Sequence, residues 1–178
     1  LAEWCETNNV RLIHITTDCV FSGNVGSYAE EDLHDCLDNY GKSKSLGEPT
    51  NCMVIRTSII GEEIHKNASL IEWAKSQKGK KVKGFTNHYW NGVTTLEYAK
   101  ICQQIIEEDL FKKDLFHIHS PTSVNKMQLL QLISDRFKLQ LDILPFKTDN
   151  SCDRTLSSKK DLVNSIKISN IIQQIDEL

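Results

Sequence analysis

An α/β fold built on parallel strands is what this 178-residue sequence predicts, and three observations predict it. Two β-branched, apolar runs, Val10 to Thr16 (VRLIHIT) and Cys52 to Thr57 (CMVIRT), have the composition of strands buried in a parallel sheet. Amphipathic segments of helical length separate the strand candidates along the chain. Two helix-start signatures, Thr94 with Glu97 and Asn125 with Gln128, place polar caps ahead of apolar periodic runs.

The elements follow in order. Leu1 to Thr7 reads as the last turns of a helix stopped by Asn8-Asn9, and a helix without a beginning suggests a fragment. Val10 to Thr16 is the first strand. Residues 17 to 38, rich in Gly, Ser, Asn and Asp, read as a loop. A helix from about Asn39 to Gly47 is stopped by Gly47 and Pro49, and Cys52 to Thr57 is the second strand. Asn67 to Ser76 reads as an amphipathic helix and Val82 to Phe85 as a short strand. The Thr94/Glu97 capping box opens a helix whose apolar face is expected to be Leu96, Ala99, Cys102, Ile105 and Ile106. Leu115 to His119 is a third strand. Asn125 opens a helix running to about Phe137, and Leu139 to Leu144 alternates as a half-buried strand before Pro145. Residues 147 to 158 form a polar loop, and one or two short helices finish the chain.

Composition removes several classes of function. With 39% apolar and 25% charged residues the chain reads as an ordinary soluble globular protein. A net charge of -3 with scattered Lys and Arg gives no footprint for nucleic acid. Lys78, Lys80, Lys81 and Lys83 flank a strand and read as a solvated rim. No apolar run approaches the ~20 residues of a membrane span. The six cysteines are widely spaced, without a CxxC or a zinc-type cluster, and read as reduced thiols of a cytoplasmic protein. His117 and His119, alternating around Ile118, read as structural, and no metal site is expected.

The sharpest chemical feature is Tyr40-Gly41-Lys42-Ser43-Lys44. Residues four apart share a helix face, so the Tyr40 hydroxyl and the Lys44 ammonium can enter one cleft. An ammonium there favours phenolate and tunes the tyrosine to give a proton to a carbonyl oxygen. Chance alone supplies such a spacing in roughly one comparable chain in three. A second feature agrees with it. His14-Ile15-Thr16-Thr17-Asp18 delivers hydroxyls at the carboxyl end of a strand, where open parallel sheets place their ligands. Thr17 stands 23 residues before Tyr40, far enough for a loop to bring the two hydroxyls together around one oxygen.

Together, strand-Thr-Thr-Asp-x-Val-Phe-x-Gly, Tyr-Gly-Lys-Ser-Lys-x-x-Gly-Glu and Ile-Arg-Thr-Ser closely resemble the extended short-chain dehydrogenase/reductases. Within these the chain looks most like the dTDP-4-dehydrorhamnose reductase group. The resemblance runs on through Asn91-Gly92-Val93-Thr94-Thr95 and extends weakly to Asp153-Arg154-Thr155-Leu156-Ser157. It implies the C-terminal part of a Rossmann-like parallel sheet plus a small α/β substrate-binding region. Residues 1–60 would carry the second half of the NAD(P)-binding domain. Residues 61–178 would form mainly the substrate region, with about 94–119 returning to the sheet.

The implied activity is NADPH- or NADH-dependent reduction of a nucleotide-activated 4-keto-6-deoxy sugar, in cell-surface polysaccharide synthesis. Thr17 would hold the substrate carbonyl, Tyr40 would donate the proton, and Lys44 would lower the tyrosine pKa and bind the nicotinamide ribose. Thr16, Arg56, Thr57 and Ser58 would lie beside the cofactor. Asp18, Cys19, Asn87, Trp90 and Arg154 would help form the sugar-nucleotide pocket, although Trp90 fits a packing aromatic equally well. The nucleotide sugar is the implied partner, and a homodimer is compatible with the resemblance.

The sequence departs from the group's pattern in two ways. Cys19 and Ile59 stand where the rhamnose-forming reductases usually carry tyrosine and tryptophan. No Gly-x-Gly-x-x-Gly or Gly-x-x-Gly-x-x-Gly occurs, and only 16 residues precede Thr17, so the pyrophosphate-binding turn is expected upstream and the chain alone is expected to be inactive. Two other readings stay open: an epimerase or dehydratase of the same superfamily, and a non-catalytic regulatory subunit of the methionine adenosyltransferase type.

Overall fold

The protein is described by a computed structural model covering residues 1–65 and 68–178. The sheet that organises the site holds three parallel strands, β1 (Ile13–Thr17), β2 (Met53–Thr57) and a later strand at Leu115–His117, with β2 in the centre. Ahead of it lies α1 (Ala2–Thr7). β1 starts three residues later than its composition suggests. Asn9 takes a left-handed φ of 54° and the Val10 amide bonds back to the Cys5 carbonyl, so Val10 belongs to the helix exit. β1 is also an edge strand, with Ile15 partly exposed, whereas all five residues of β2 are buried.

Helix α2 (Asn39–Leu46) crosses beside β1 and is capped by Asp38, whose carboxylate accepts the Gly41 amide at 2.8 Å. After β2 come β3 (Ile59–Ile60), α3 (Leu70–Ser76), β4 (Lys81–Phe85), β5 (His88–Trp90) and β6 (Val93–Thr94). The helix expected from Asn67 is observed from Leu70, and Asn67 itself lies outside the described residues. The cap of α3 is Ser69, whose hydroxyl accepts from the Glu72 amide.

Helix α4 (Thr95–Glu107) begins as expected, with the Thr94 hydroxyl accepting the Glu97 amide, but the reciprocal half of the capping box does not form. Glu97 is buried and accepts from the Ser169 amide, while the Thr94 amide is satisfied by Gln174. The buried face also differs from the expected one. Glu97, Ile101 and Ile105 are buried at intervals of four, whereas Leu96, Ala99 and Ile106 face outward. Ile101 and Ile105 pack with Met53, Ile55 and Phe116, which fixes α4 against the central sheet.

Strand β7 (Leu115–His117) completes that sheet by pairing with β2. Strand β8 (Val124–Asn125) leads into α5 (Lys126–Arg136), where both halves of the Asn125/Gln128 capping box form. The following strand was expected to end before Pro145. Instead β9 (Asp142–Phe146) runs through Pro145, because Lys138 and Gln140 adopt left-handed φ values and delay the extended stretch. The proline is tolerated because β9 pairs only with β4 and keeps a free edge. Strand β10 (Cys152–Asp153) joins β5 in parallel, and α6 (Leu162–Ser165) and α7 (Ile171–Asp176) close the chain. Ile71, Trp90, Leu129, Ile133 and Ile171 form the apolar core beneath this second region.

Candidate active site

The register of the central sheet sets the site. In the parallel pair β1–β2, Thr16 stands beside Arg56 and Thr17 beside Thr57, so both strands present hydroxyls at the same carboxyl edge. Beyond β1 the chain makes one 3-10 turn, Asp18–Val20, and the Thr17 hydroxyl caps it by accepting the Cys19 amide at 3.2 Å. Helix α2 then lies close on that turn. A Cβ on Gly41 would stand 2.3 Å from the Cys19 carbonyl oxygen, so only glycine permits the approach. Gly92 plays the same part beneath Ser58, whose carbonyl oxygen would be 2.1 Å from an added Cβ. Two contacts pin Ser58: the Val93 amide to its carbonyl at 2.8 Å, and the Trp90 indole N–H to its hydroxyl at 2.9 Å.

Eight of the twelve residues singled out from the sequence line one cleft of about 410 Å³: Thr16, Thr17, Asp18, Cys19, Tyr40, Lys44, Thr57 and Ser58. Tyr40 is 55% exposed, with the Lys44 ammonium 5.7 Å from its ring centroid. The Thr17 hydroxyl donates to Asp18 Oδ1 at 3.1 Å. Burial raises the Asp18 pKa, against the Thr17 hydrogen bond and the positive charges of Arg154 and Lys126. Burial also raises the Cys19 thiol, and the neighbouring Asp18 adds to that. The Thr16 hydroxyl is buried and has no hydrogen-bond partner, which leaves spare bonding capacity in the cleft wall.

Arg154 stands at the rim, with Nη1 3.6 Å from Cys19 Sγ and a buried Nε that has no partner. Lys126, at the start of α5, was not anticipated from the sequence. Its burial depresses its pKa, while Asp18 pulls the other way, so the two residues sit within electrostatic reach. Nothing within 100 residues of Asp18 in the sequence signals that pairing.

Besides Arg154, three of the twelve residues lie outside the cleft lining. Arg56 is 1% exposed and is turned into the protein's interior. Its Nε and Nη2 donate to the two Glu48 carboxylate oxygens at 3.0 and 2.7 Å, Nη1 to His117 Nε2 at 2.8 Å, and Nη2 also to His34 Nε2 at 2.7 Å. A guanidinium so engaged is a buried hub, and Glu48, His34 and His117 are its partners. Asn87 is held by Thr148, donating to its carbonyl at 2.9 Å and accepting from its amide and hydroxyl at 3.1 Å. Trp90 is 4% exposed within the apolar core, which leaves no ring face for a sugar and makes it a packing residue.

Residues 1–173 match the family described as RmlD substrate binding domain. Methionine adenosyltransferase 2 subunit beta of Danio rerio is 28% identical over 72% of the chain and 44% of its own length. The same subunit of Rattus norvegicus is 28% identical over 78% of the chain and 46% of its own length. The chain thus spans less than half the length of these curated relatives. A dTDP-4-dehydrorhamnose reductase from Yersinia enterocolitica superposes with a TM-score of 0.77 at 18% identity, covering 99% of this chain and 68% of that one. The Bacillus anthracis reductase, solved in complex with NADP, gives 0.77 at 15% identity over 99% and 67%. The fold is shared with these enzymes.

Proposed function

The chain belongs to the RmlD substrate binding domain family, and from that premise we propose that it carries the proton-transfer apparatus of a nicotinamide-dependent reductase acting on a nucleotide-activated 4-keto-6-deoxy sugar. The observation that carries this reading is the convergence of Thr17, Tyr40 and Lys44 on one cleft at the carboxyl ends of parallel strands. Reduction adds a hydride to the carbonyl carbon and a proton to its oxygen. Tyr40 gives that proton, and the Lys44 ammonium stabilises the phenolate left behind. Thr17 turns its hydroxyl from Asp18 toward the carbonyl oxygen and holds it for protonation.

Bound NADPH or NADH would supply the hydride. The unpartnered Thr16 hydroxyl, with Thr57, Ser58 and Lys44, fits a ligand edge rich in hydroxyl and amide groups and would hold the nicotinamide end. Arg154, beside Cys19, and Lys126, within electrostatic reach of Asp18, add positive charge near the cleft, which suits an anionic nucleotide diphosphate. On this reading residues 1–60 and the returning segment 94–119 serve the cofactor side, and the rest serves the substrate. Asp18 is the one acidic residue in the cleft lining, which favours reduction over the dehydratase reading.

A regulatory subunit is the second reading, favoured by the two sequence relatives named as methionine adenosyltransferase 2 subunit beta. The product of the complete reading frame, offered NADPH with a panel of nucleotide 4-keto sugars, separates the two. Turnover of at least one sugar supports the reductase. No turnover, together with stable association with a methionine adenosyltransferase, would favour the regulatory subunit.

A further inference from the structure

Helix α2 carries the cleft's tyrosine and lysine, yet Gly41 is its one buried residue among eight, and Leu46 in its last turn is 89% exposed. Apolar packing therefore does little to fix its position. At its N-terminal end it is held by the Asp38 cap and the close approach of Gly41 to the Cys19 carbonyl. At its C-terminal end the contacts are polar and lead to Arg56. The Ser45 hydroxyl lies 2.6 Å from His34 Nδ1, the other ring nitrogen of His34 is 2.7 Å from Arg56 Nη2, and Glu48, just beyond the helix, takes both a Nε and a Nη2 bond. Arg56 is in turn tied to β7 through His117, whose Nδ1 meets the backbone carbonyls of Tyr28 and Ser157.

We propose that Arg56, Glu48 and His34 are positioning residues: they clasp the C-terminal turn of α2 to the sheet through Ser45 and so set where Tyr40 and Lys44 stand in the cleft. This rests on the reductase reading for its kinetic consequence, but the clasp itself is a matter of geometry. None of Arg56, Glu48 and His34 is among the residues lining the cleft, so the clasp acts through the position of α2. A chain of one hydroxyl, one imidazole and one guanidinium transmits position because each link is short and directional, and it is anchored on Arg56, which is buried.

The test uses the complete protein with Ser45→Ala, which cuts the link to the helix and leaves the buried ion pair intact, so the fold is kept. The expected result is a roughly five-fold to ten-fold lower kcat with an unchanged KM for the sugar, the loss expected of one missing hydrogen bond. Ser45→Thr, which keeps the hydroxyl, should restore kcat. A kcat equal to wild type in Ser45→Ala, while wild type turns over, overturns the clasp and leaves the reductase reading standing. If wild type does not turn over, the reductase reading fails, and the clasp is decided by fluorine NMR of 3-fluorotyrosine at Tyr40, assigned with Tyr40→Phe. A shifted Tyr40 resonance in Ser45→Ala that returns in Ser45→Thr supports the clasp; an unmoved one overturns it.

Discussion

Lowering the pH from 7 to 5 should remove about 2 kcal/mol of stability through His117 alone, and the structure gives the reason. The ring is 0% exposed. Its Nδ1 faces the Tyr28 and Ser157 carbonyls at 3.0 and 2.9 Å and must carry the proton. Its Nε2 faces the Arg56 guanidinium at 2.8 Å and must accept. A second proton would place N–H against N–H and a cation against a cation, in a site shut off from solvent. Burial first, and Arg56 second, press the His117 pKa from 6.5 down to about 4. Because the folded pKa is depressed, the folded state binds fewer protons than the unfolded chain between pH 6.5 and 4. The stability is therefore complete above 6.5 and is lost as pH falls through that window. At about 1.4 kcal/mol per pH unit the full loss is on the order of 3 kcal/mol, of which about 2 is gone by pH 5.

His34, also lowered by burial and by Arg56, adds loss in the same direction. Asp18, raised by burial, acts oppositely, gaining stability as pH falls through its folded pKa. A difference measurement isolates His117. Urea unfolding of the complete protein at pH 7, 6 and 5 is compared with His117→Gln, whose amide oxygen still accepts from Arg56 but cannot titrate. Wild type should lose about 2 kcal/mol more than the variant between pH 7 and 5. Parallel losses in the two proteins would refute the assignment of a neutral, Nδ1-protonated His117.

Three further expectations follow from packing. Gly41→Ala should lower the melting temperature and kcat together, because the new methyl meets the Cys19 carbonyl backbone, which cannot retreat without moving the turn that holds Thr17; an unaltered kcat would contradict that coupling. Ile105→Ala should cost about 2–5 kcal/mol in denaturant unfolding while Leu96→Ala costs under about 1, since only the former leaves a core cavity; equal costs would mean the face of α4 is misassigned. Trp90→Phe should lower stability while leaving the KM for a nucleotide sugar within about two-fold, and a large KM change would restore a sugar-contacting role to Trp90.

Much of the fold was legible from local chemistry. The runs VRLIHIT and CMVIRT lie in the paired parallel strands, and the Asn125/Gln128 box forms in full because both its partners are close in sequence. Where the reading failed, a distant group had intervened. Glu97 was drawn from the Thr94 amide by Ser169, 72 residues away, which also turned α4 so that Glu97 rather than Leu96 faces inward. The cleft was legible wherever two adjacent strand ends or one helix face supplied its residues. Arg56 lies outside the cleft lining because its guanidinium is engaged inside the protein by Glu48, His34 and His117. An arginine inside an apolar strand needs a buried partner, and Glu48, eight residues before it, is the one the fold supplies. Lys126 and His117 join the site network only through tertiary packing, and no local pattern marks them.

The central claim is that Tyr40 donates the proton in a cleft shared with Thr17 and Lys44. It is tested most directly by NADPH oxidation with a nucleotide 4-keto sugar, comparing the complete protein with its Tyr40→Phe variant. The account predicts a fall in kcat of at least about a hundred-fold with cofactor binding retained, the scale expected of a lost general acid. A Tyr40→Phe protein that turns over within a few-fold of wild type would contradict it.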